Sequence, residues 1–324
     1  MSTEQYASFS NHAVMFAALI YSLALLSHTA EWALTLRLAR VKVLQPISST
    51  VPPTTRAAGA ESVDTVRQEV PDLRVEQFGR IGVALTLVAW LLNVAGVFTR
   101  GLAADRVPWG NMYEFSITAS VGIVGLYLVL LPLYHVRWLG LPLTGTVVTI
   151  LMLAVLLLDV PAGPLVPALH SYWLYIHVTA AMIATGGFTV GGIASGLYLL
   201  KLRSETRPGG RLARILGTVP GVEELDLFAY RVQAFAFPVW TFAALIAGPI
   251  WAKYAWGRYW GWDPKEVWAF ITWVAYAAYL HARLTAGWRG RRAAVLALVG
   301  LAALLFNFIG INLFGSGLHS YAGK

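Results

Sequence analysis

Three histidines and one tryptophan-rich run hold most of the chemistry available to this 324-residue chain, which has seven histidines and no cysteine. His177 stands in HSYWLYIHV, His281 in YLHARL and His319 in GSGLHSY, each toward one end of a long apolar stretch. A neutral imidazole is the side chain best suited to bind haem iron axially at an apolar site. Two imidazoles from opposite sides would hold the ring between helices. Between His177 and His281 lies WGRYWGWDPKE, Trp256 to Glu266, with three tryptophans and a tyrosine in eleven residues. Trp256, Tyr259, Trp260, Trp262 and, just beyond, Trp268 exceed what anchoring one span at a membrane surface requires. Gly257 and Gly261 let a flat ligand approach the backbone closely. Lys253, Arg258 and Lys265 are available to pair with carboxylates on that ligand. A porphyrin, an apolar disc with two propionates, has this shape.

Each feature also has a plainer role. Histidines at a membrane surface anchor to headgroups or cap helices, and His12 and His135 claim nothing more. Asp263-Pro264-Lys265-Glu266 reads as a helix start, with Asp as N-cap, Pro at the first helical position and Glu three residues after the cap. Asp263 and Glu266 are therefore expected to open a helix, whatever else Asp263 does for the ligand. Ionisable residues inside a span are functional by default, which brings in His281 and His28. His170 precedes His177 by two helical turns and shares its face if the helix begins early, so which of the two binds iron stays open. In GGFTVGGIASG, Gly187 with Gly191 and Gly192 with Gly196 have the spacing that lets helix backbones approach closely.

Membrane spans must position these residues. The chain is 57% hydrophobic and 12% charged, where a soluble domain carries about 25% charged residues. The apolar stretches are continuous rather than alternating, which favours helices over a barrel. The expected fold is all-α, a polytopic integral membrane protein forming a single membrane domain over 1–324. About eight transmembrane helices fall near 13–36, 79–99, 112–134, 140–158, 171–200, 232–252, 265–284 and 293–314. The first is read as a retained span, since no small-residue cleavage site ends it. The net charge of +8 sits mainly in loops, where topology explains it and no nucleic-acid partner is implied. With both termini outside, all but six of the 24 lysines and arginines (Arg100, Arg106, Lys253, Arg258, Lys265 and Lys324) fall on the inner side. Residues 38–78, rich in Pro, Ser, Thr and charge, read as an inner linker with a short amphipathic helix near Val63–Phe78. Residues 253–266 form the outer loop. The lack of cysteine excludes disulfides, thiolate metal sites, Fe–S clusters and self-attached c-type haem.

WGRYWGWDPKEVWA closely resembles the tryptophan-rich "WWD" signature of haem-handling membrane proteins. With HSYWLYIHV before it, YLHAR and GLHSY after it, and PWGNMYEFS as an outer loop, the chain from about Trp109 onward resembles the CcsA/ResC family of cytochrome c biogenesis proteins (system II). The resemblance implies a cytochrome c haem lyase working as part of a two-protein complex with a CcsB/ResB-type membrane protein. It implies haem b, bound as substrate, carried to the outer face of the cell membrane and joined to the CxxCH segment of apocytochrome c. It makes His177 and His319 the outer axial ligands, with the segment Trp256 to Trp268, Asp263 included, cradling the ring. His281 becomes an intramembrane haem ligand whose opposing ligand comes from the partner. Other readings are a WWD protein of the multicomponent maturation route, a haem exporter without covalent chemistry, and a haem b redox subunit using His28 and His281.

Overall fold

A computed structural model describes residues 1–44, 58–163, 171–206, 210–285, 287–315 and 317–319. The described residues form helices without any strand. In chain order these are α1 (Thr3–Leu44), α2 (Ala58–Ala104), α3 (Met112–Leu133), α4 (Gly140–Leu157), α5 (Tyr172–Glu205), α6 (Arg211–Ile215), α7 (Val222–Thr241), α8 (Gly248–Trp256), α9 (Pro264–Leu284), α10 (Arg291–Leu305) and α11 (Ile311–Phe314). Single π turns, Phe242–Ala247 and Phe306–Gly310, join α7 to α8 and α10 to α11 without a break. Seven continuous helical stretches are long and apolar enough to cross a membrane, so the chain is an all-α polytopic membrane protein. The span expected at 265–284 coincides with α9, whose tryptophans, tyrosines, histidine and arginine leave it less apolar than the others. The amphipathic helix expected near 63–78 falls within α2, which runs on as a span. Residues 45–57 of the expected linker lie outside the described residues.

Helices α1 and α2 pack antiparallel along their length. Ser10 Oγ donates to Gly96 O at 2.7 Å near one end and Ser27 Oγ to Phe78 O at 2.8 Å near the other. Helix α5 is the central element: 67% of its most apolar window is buried, against 28–44% in the other spans. Its glycines explain why. A Cβ at Gly187 would come within 2.8 Å of Ala236 Cβ, and one at Gly191 within 2.6 Å of Gln233 Cγ, both on α7. A Cβ at Gly192 would strike Leu301 of α10. Three of the four spaced glycines thus seat α5 against its neighbours, while Gly196 meets nothing within 4 Å. Helix α9 packs on α7 and α10, burying Thr272, Tyr276 and Tyr279 and leaving Phe270, Ile271, Val274 and His281 exposed.

Candidate functional site

A cavity opens where the start of α5, helix α8, the 257–263 loop, the start of α9 and the second π turn converge. Its empty volume is about 1230 Å³, including solvent at the mouth. His177, His319, Trp256, Tyr259 and Trp260 all line it. Both π turns border it as well, the first through Ala243 and Ala244, the second through Asn307 and Phe308. Such turns concentrate at functional sites because the wider spacing re-aims carbonyls.

The first π turn holds His177. The Ala243 carbonyl accepts from Gly248 N–H, five residues on, and also from His177 Nδ1 at 2.9 Å. A carbonyl can only accept, so Nδ1 carries the hydrogen and Nε2 keeps the lone pair. Gly248 makes room for this: a Cβ there would lie 3.1 Å from both Ala243 O and His177 Cε1. Gly248→Ala is expected to cost about 1–3 kcal/mol by crowding and to shift the His177 ring. The check is thermal unfolding of the purified variant alongside its ligand-binding spectrum.

Asp263 holds His319. One carboxylate oxygen accepts from Lys265 N–H at 3.0 Å and from His319 Nδ1 at 2.7 Å, and the other accepts from Leu318 N–H at 2.6 Å. Glu266 completes the capping box by accepting from Asp263 N–H at 3.1 Å, and also accepts from Gly261 N–H at 2.8 Å. The backbone at Gly317 passes so close that a Cβ there would strike the Asp263 carboxylate. Burial alone would raise the Asp263 carboxyl, but hydrogen bonds from His319, Lys265 N–H and Leu318 N–H bring it below the ordinary carboxylate value. Burial outweighs Asp263 at His319 and lowers the imidazole from its usual value. Both effects give an ionised Asp263 and a neutral His319 with its hydrogen on Nδ1. The expected helix cap is present, and the same carboxylate also positions a histidine. A carboxylate behind a ligating imidazole is a recurrent device for fixing the ring and raising its basicity.

Aromatic rings fill the space around the histidines. The His177 and Trp251 rings stack 5.8 Å apart with planes 3° from parallel. His319 lies 5.7 Å from Trp251 and 4.7 Å from Trp256. Trp251 belongs to a buried cluster with Leu174, Val178 and Met182 that underlies the cavity. Two expected aromatics lie elsewhere. Trp262 is 68% exposed, sits at φ 57° and touches Trp260 edge-on. Trp268 packs on Phe306 of the second π turn at 4.2 Å. Neither lines the cavity. His281 is exposed near the far end of α9, about 27 Å along the axis from Asp263 at 1.5 Å per residue. His28 is buried against Gly82 and Gly140, with Nδ1 3.3 Å from Glu31. His170 lies outside the described residues.

The loop before α3 supplies another part of the wall, with Trp109 packed against the cluster that holds Trp251. Glu114, fully buried, accepts from Arg100 Nε at 3.1 Å, Arg106 Nη1 at 2.6 Å and Gly110 N–H at 2.8 Å. The same arginines reach Val160 O and Gly163 O. This knot fixes Trp109, Gly110 and Asn111 in the cavity wall. Trp109 and Trp251 were not singled out from the sequence. The first stood in a motif noted only for its resemblance, the second inside an apolar run where any tryptophan reads as core.

Residues 84–319 match the family model described as cytochrome C assembly protein. A relative named cytochrome c biogenesis protein CcsA from Synechococcus sp. (strain JA-3-3Ab) is 34% identical over 295 residues, covering 75% of this chain and 84% of its own. A protein of the same name from Guillardia theta is 35% identical over 262 residues, with 74% and 85% covered. The solved structure of cytochrome c haem lyase CcmF aligns with 94% of this chain at TM-score 0.50 and 18% identity. The chain spans half the length of that structure, and the likeness is one of fold.

Proposed function

Because the chain belongs to the cytochrome c assembly protein family, we propose that its cavity binds haem b as a substrate between His177 and His319 and presents it for attachment to apocytochrome c. The observation that carries this reading is the matched state of the two imidazoles. Each has Nδ1 committed, one to a carbonyl and one to a carboxylate. With the hydrogen on Nδ1, Nε2 is the basic nitrogen of each imidazole, and both residues line one aromatic cavity, the donor chemistry that haem iron takes. Trp256, Tyr259 and Trp260 cover the ring, and Asp263 positions His319. Trp262, exposed beside Trp260, and Trp268, packed on Phe306 of the second π turn, complete the aromatic segment.

The chain supplies binding, orientation and exclusion of water; the bond-forming reactivity resides in haem and substrate. Each thiol of the apocytochrome CxxCH adds across one vinyl group, sulfur to one carbon and hydrogen to the other, with no net oxidation. The histidine of that motif takes the place of one protein ligand. In this reading the cavity faces the outer side of the plasma membrane, as do both termini. His281, exposed on α9, is a second haem ligand whose counterpart stands on a CcsB/ResB-type partner. A histidine exposed on the surface of α9 favours completion by another chain.

Purified together with its partner, the protein is expected to show a bis-histidine haem spectrum. His177→Ala combined with His319→Ala should lower the haem content to what the His281 site holds and reduce the cytochrome c yield at least about tenfold, since losing a group merely behind a metal ligand already costs that much. Unchanged haem content and yield in the double variant would end the assignment.

A further inference from the structure

We propose that the cavity contains a carboxylate site, in which the indole N–H groups of Trp109, Trp251 and Trp260, together with the Lys265 ammonium, hold the haem propionates. This deepens the reading above and rests on it. The three indole nitrogens are buried and have no hydrogen-bond partner, and all three residues line the cavity. Other tryptophans find acceptors: Trp90 donates to Val121 O, Trp240, itself on the cavity wall, to Ala269 O, and Trp273 to Thr241 Oγ1. Buried donors are normally satisfied. Three orphans on one cavity are best explained by a ligand that brings acceptors.

Lys265 supplies the charge. It lines the cavity, and no hydrogen bond or ion pair engages its ammonium among the described residues. Lys253 and Arg258 do not compete with it. Lys253 donates to Gly257 O at 2.9 Å beside the Tyr259 ring, and Arg258 is exposed and folded over Gly261. The carboxylates nearby are already engaged, Glu266 by Gly261 and Asp263 N–H, Asp263 by Lys265 and Leu318 N–H and His319. One unpartnered acceptor, Asn307 Oδ1, joins the three donors and the cation, so the balance is strongly toward binding an anion. The two propionates share one edge of haem and the vinyl groups lie away from it. Anchoring the propionates therefore selects which edge meets the incoming thiols.

The test compares iron protoporphyrin IX with its dimethyl ester, titrated spectroscopically into the purified full chain. The free acid is expected to bind about tenfold or more tightly than the ester, as a charge-assisted hydrogen bond would give, with the same bis-histidine spectrum. Lys265→Met and Trp260→Phe should each shrink that preference, and Lys265→Arg should retain it. Equal affinity for acid and ester under a bis-histidine spectrum would overturn the carboxylate site and leave the histidine reading standing. Failure of both porphyrins to give that spectrum would overturn both. The wild-type comparison does not depend on any variant folding.

Discussion

Asp263→Ala is expected to lower haem affinity about 10- to 100-fold, the range for losing the group behind a metal-bound histidine, and cytochrome c yield should fall with it. The side chain has three tasks on two oxygens: it caps α9 at Lys265 N–H, binds Leu318 N–H and orients His319. Loss of the cap alone costs about 1 kcal/mol, which a packed bundle tolerates. The larger loss is at the imidazole, which is no longer fixed in the tautomer that leaves Nε2 for iron. Asp263→Asn separates these tasks. It keeps an acceptor for the cap but removes the charge, so it should fold like wild type and bind haem with intermediate affinity. The measurements are haem titration and the spectrum of each variant with its partner. Wild-type affinity in the alanine variant would show that His319 needs no carboxylate.

Glu114→Ala should be the most destabilising single substitution, by about 3–5 kcal/mol, because it leaves buried charge without a counterion. Glu114 is 0% and Arg100 1% exposed, and Arg106 closes the other side. Its loss also frees Gly110 N–H and loosens the loop that carries Trp109. The expected outcome is poor accumulation in the membrane and a lower unfolding midpoint in detergent. Glu76→Ala is the control. Its ion pair with Arg137 has a side chain 53% exposed, so its contribution is at most about 1 kcal/mol. Equal midpoints for the two variants would refute the buried-charge account.

What could be read from the sequence followed from how local each determinant is. Spans are recorded in runs of apolar residues, and the start of α9 in four consecutive residues, so both were legible. The grouping of His177, His319, Trp256, Tyr259 and Trp260 was inferable from the apolar stretches, since all fall at the same end of the expected spans. The contact of Asp263 with His319 was not, because it joins residues 56 apart through the tail after α11. Nor were the π turns, for which no residue pattern near Ala243 gives a period. Trp268 was counted with the loop because of its type, yet its helical position turns it to Phe306. The closeness of α5 to α7 was legible in its glycines, although spacing alone did not separate Gly192, which is packed, from Gly196, which is not.

The two histidines are mounted differently, and this bears on the order of events in the proposed reaction. His177 projects from within α5 and is held by a backbone carbonyl of the adjoining helix. His319 stands in a turn beyond α11, held through Asp263. Moving the first would disturb two packed helices; moving the second would break its contacts with Asp263, Trp251 and Trp256 and shift the turn that carries it. The residence time on iron should therefore be unequal, with His319 the ligand that exchanges for the substrate's histidine and His177 the one that stays until the finished cytochrome departs.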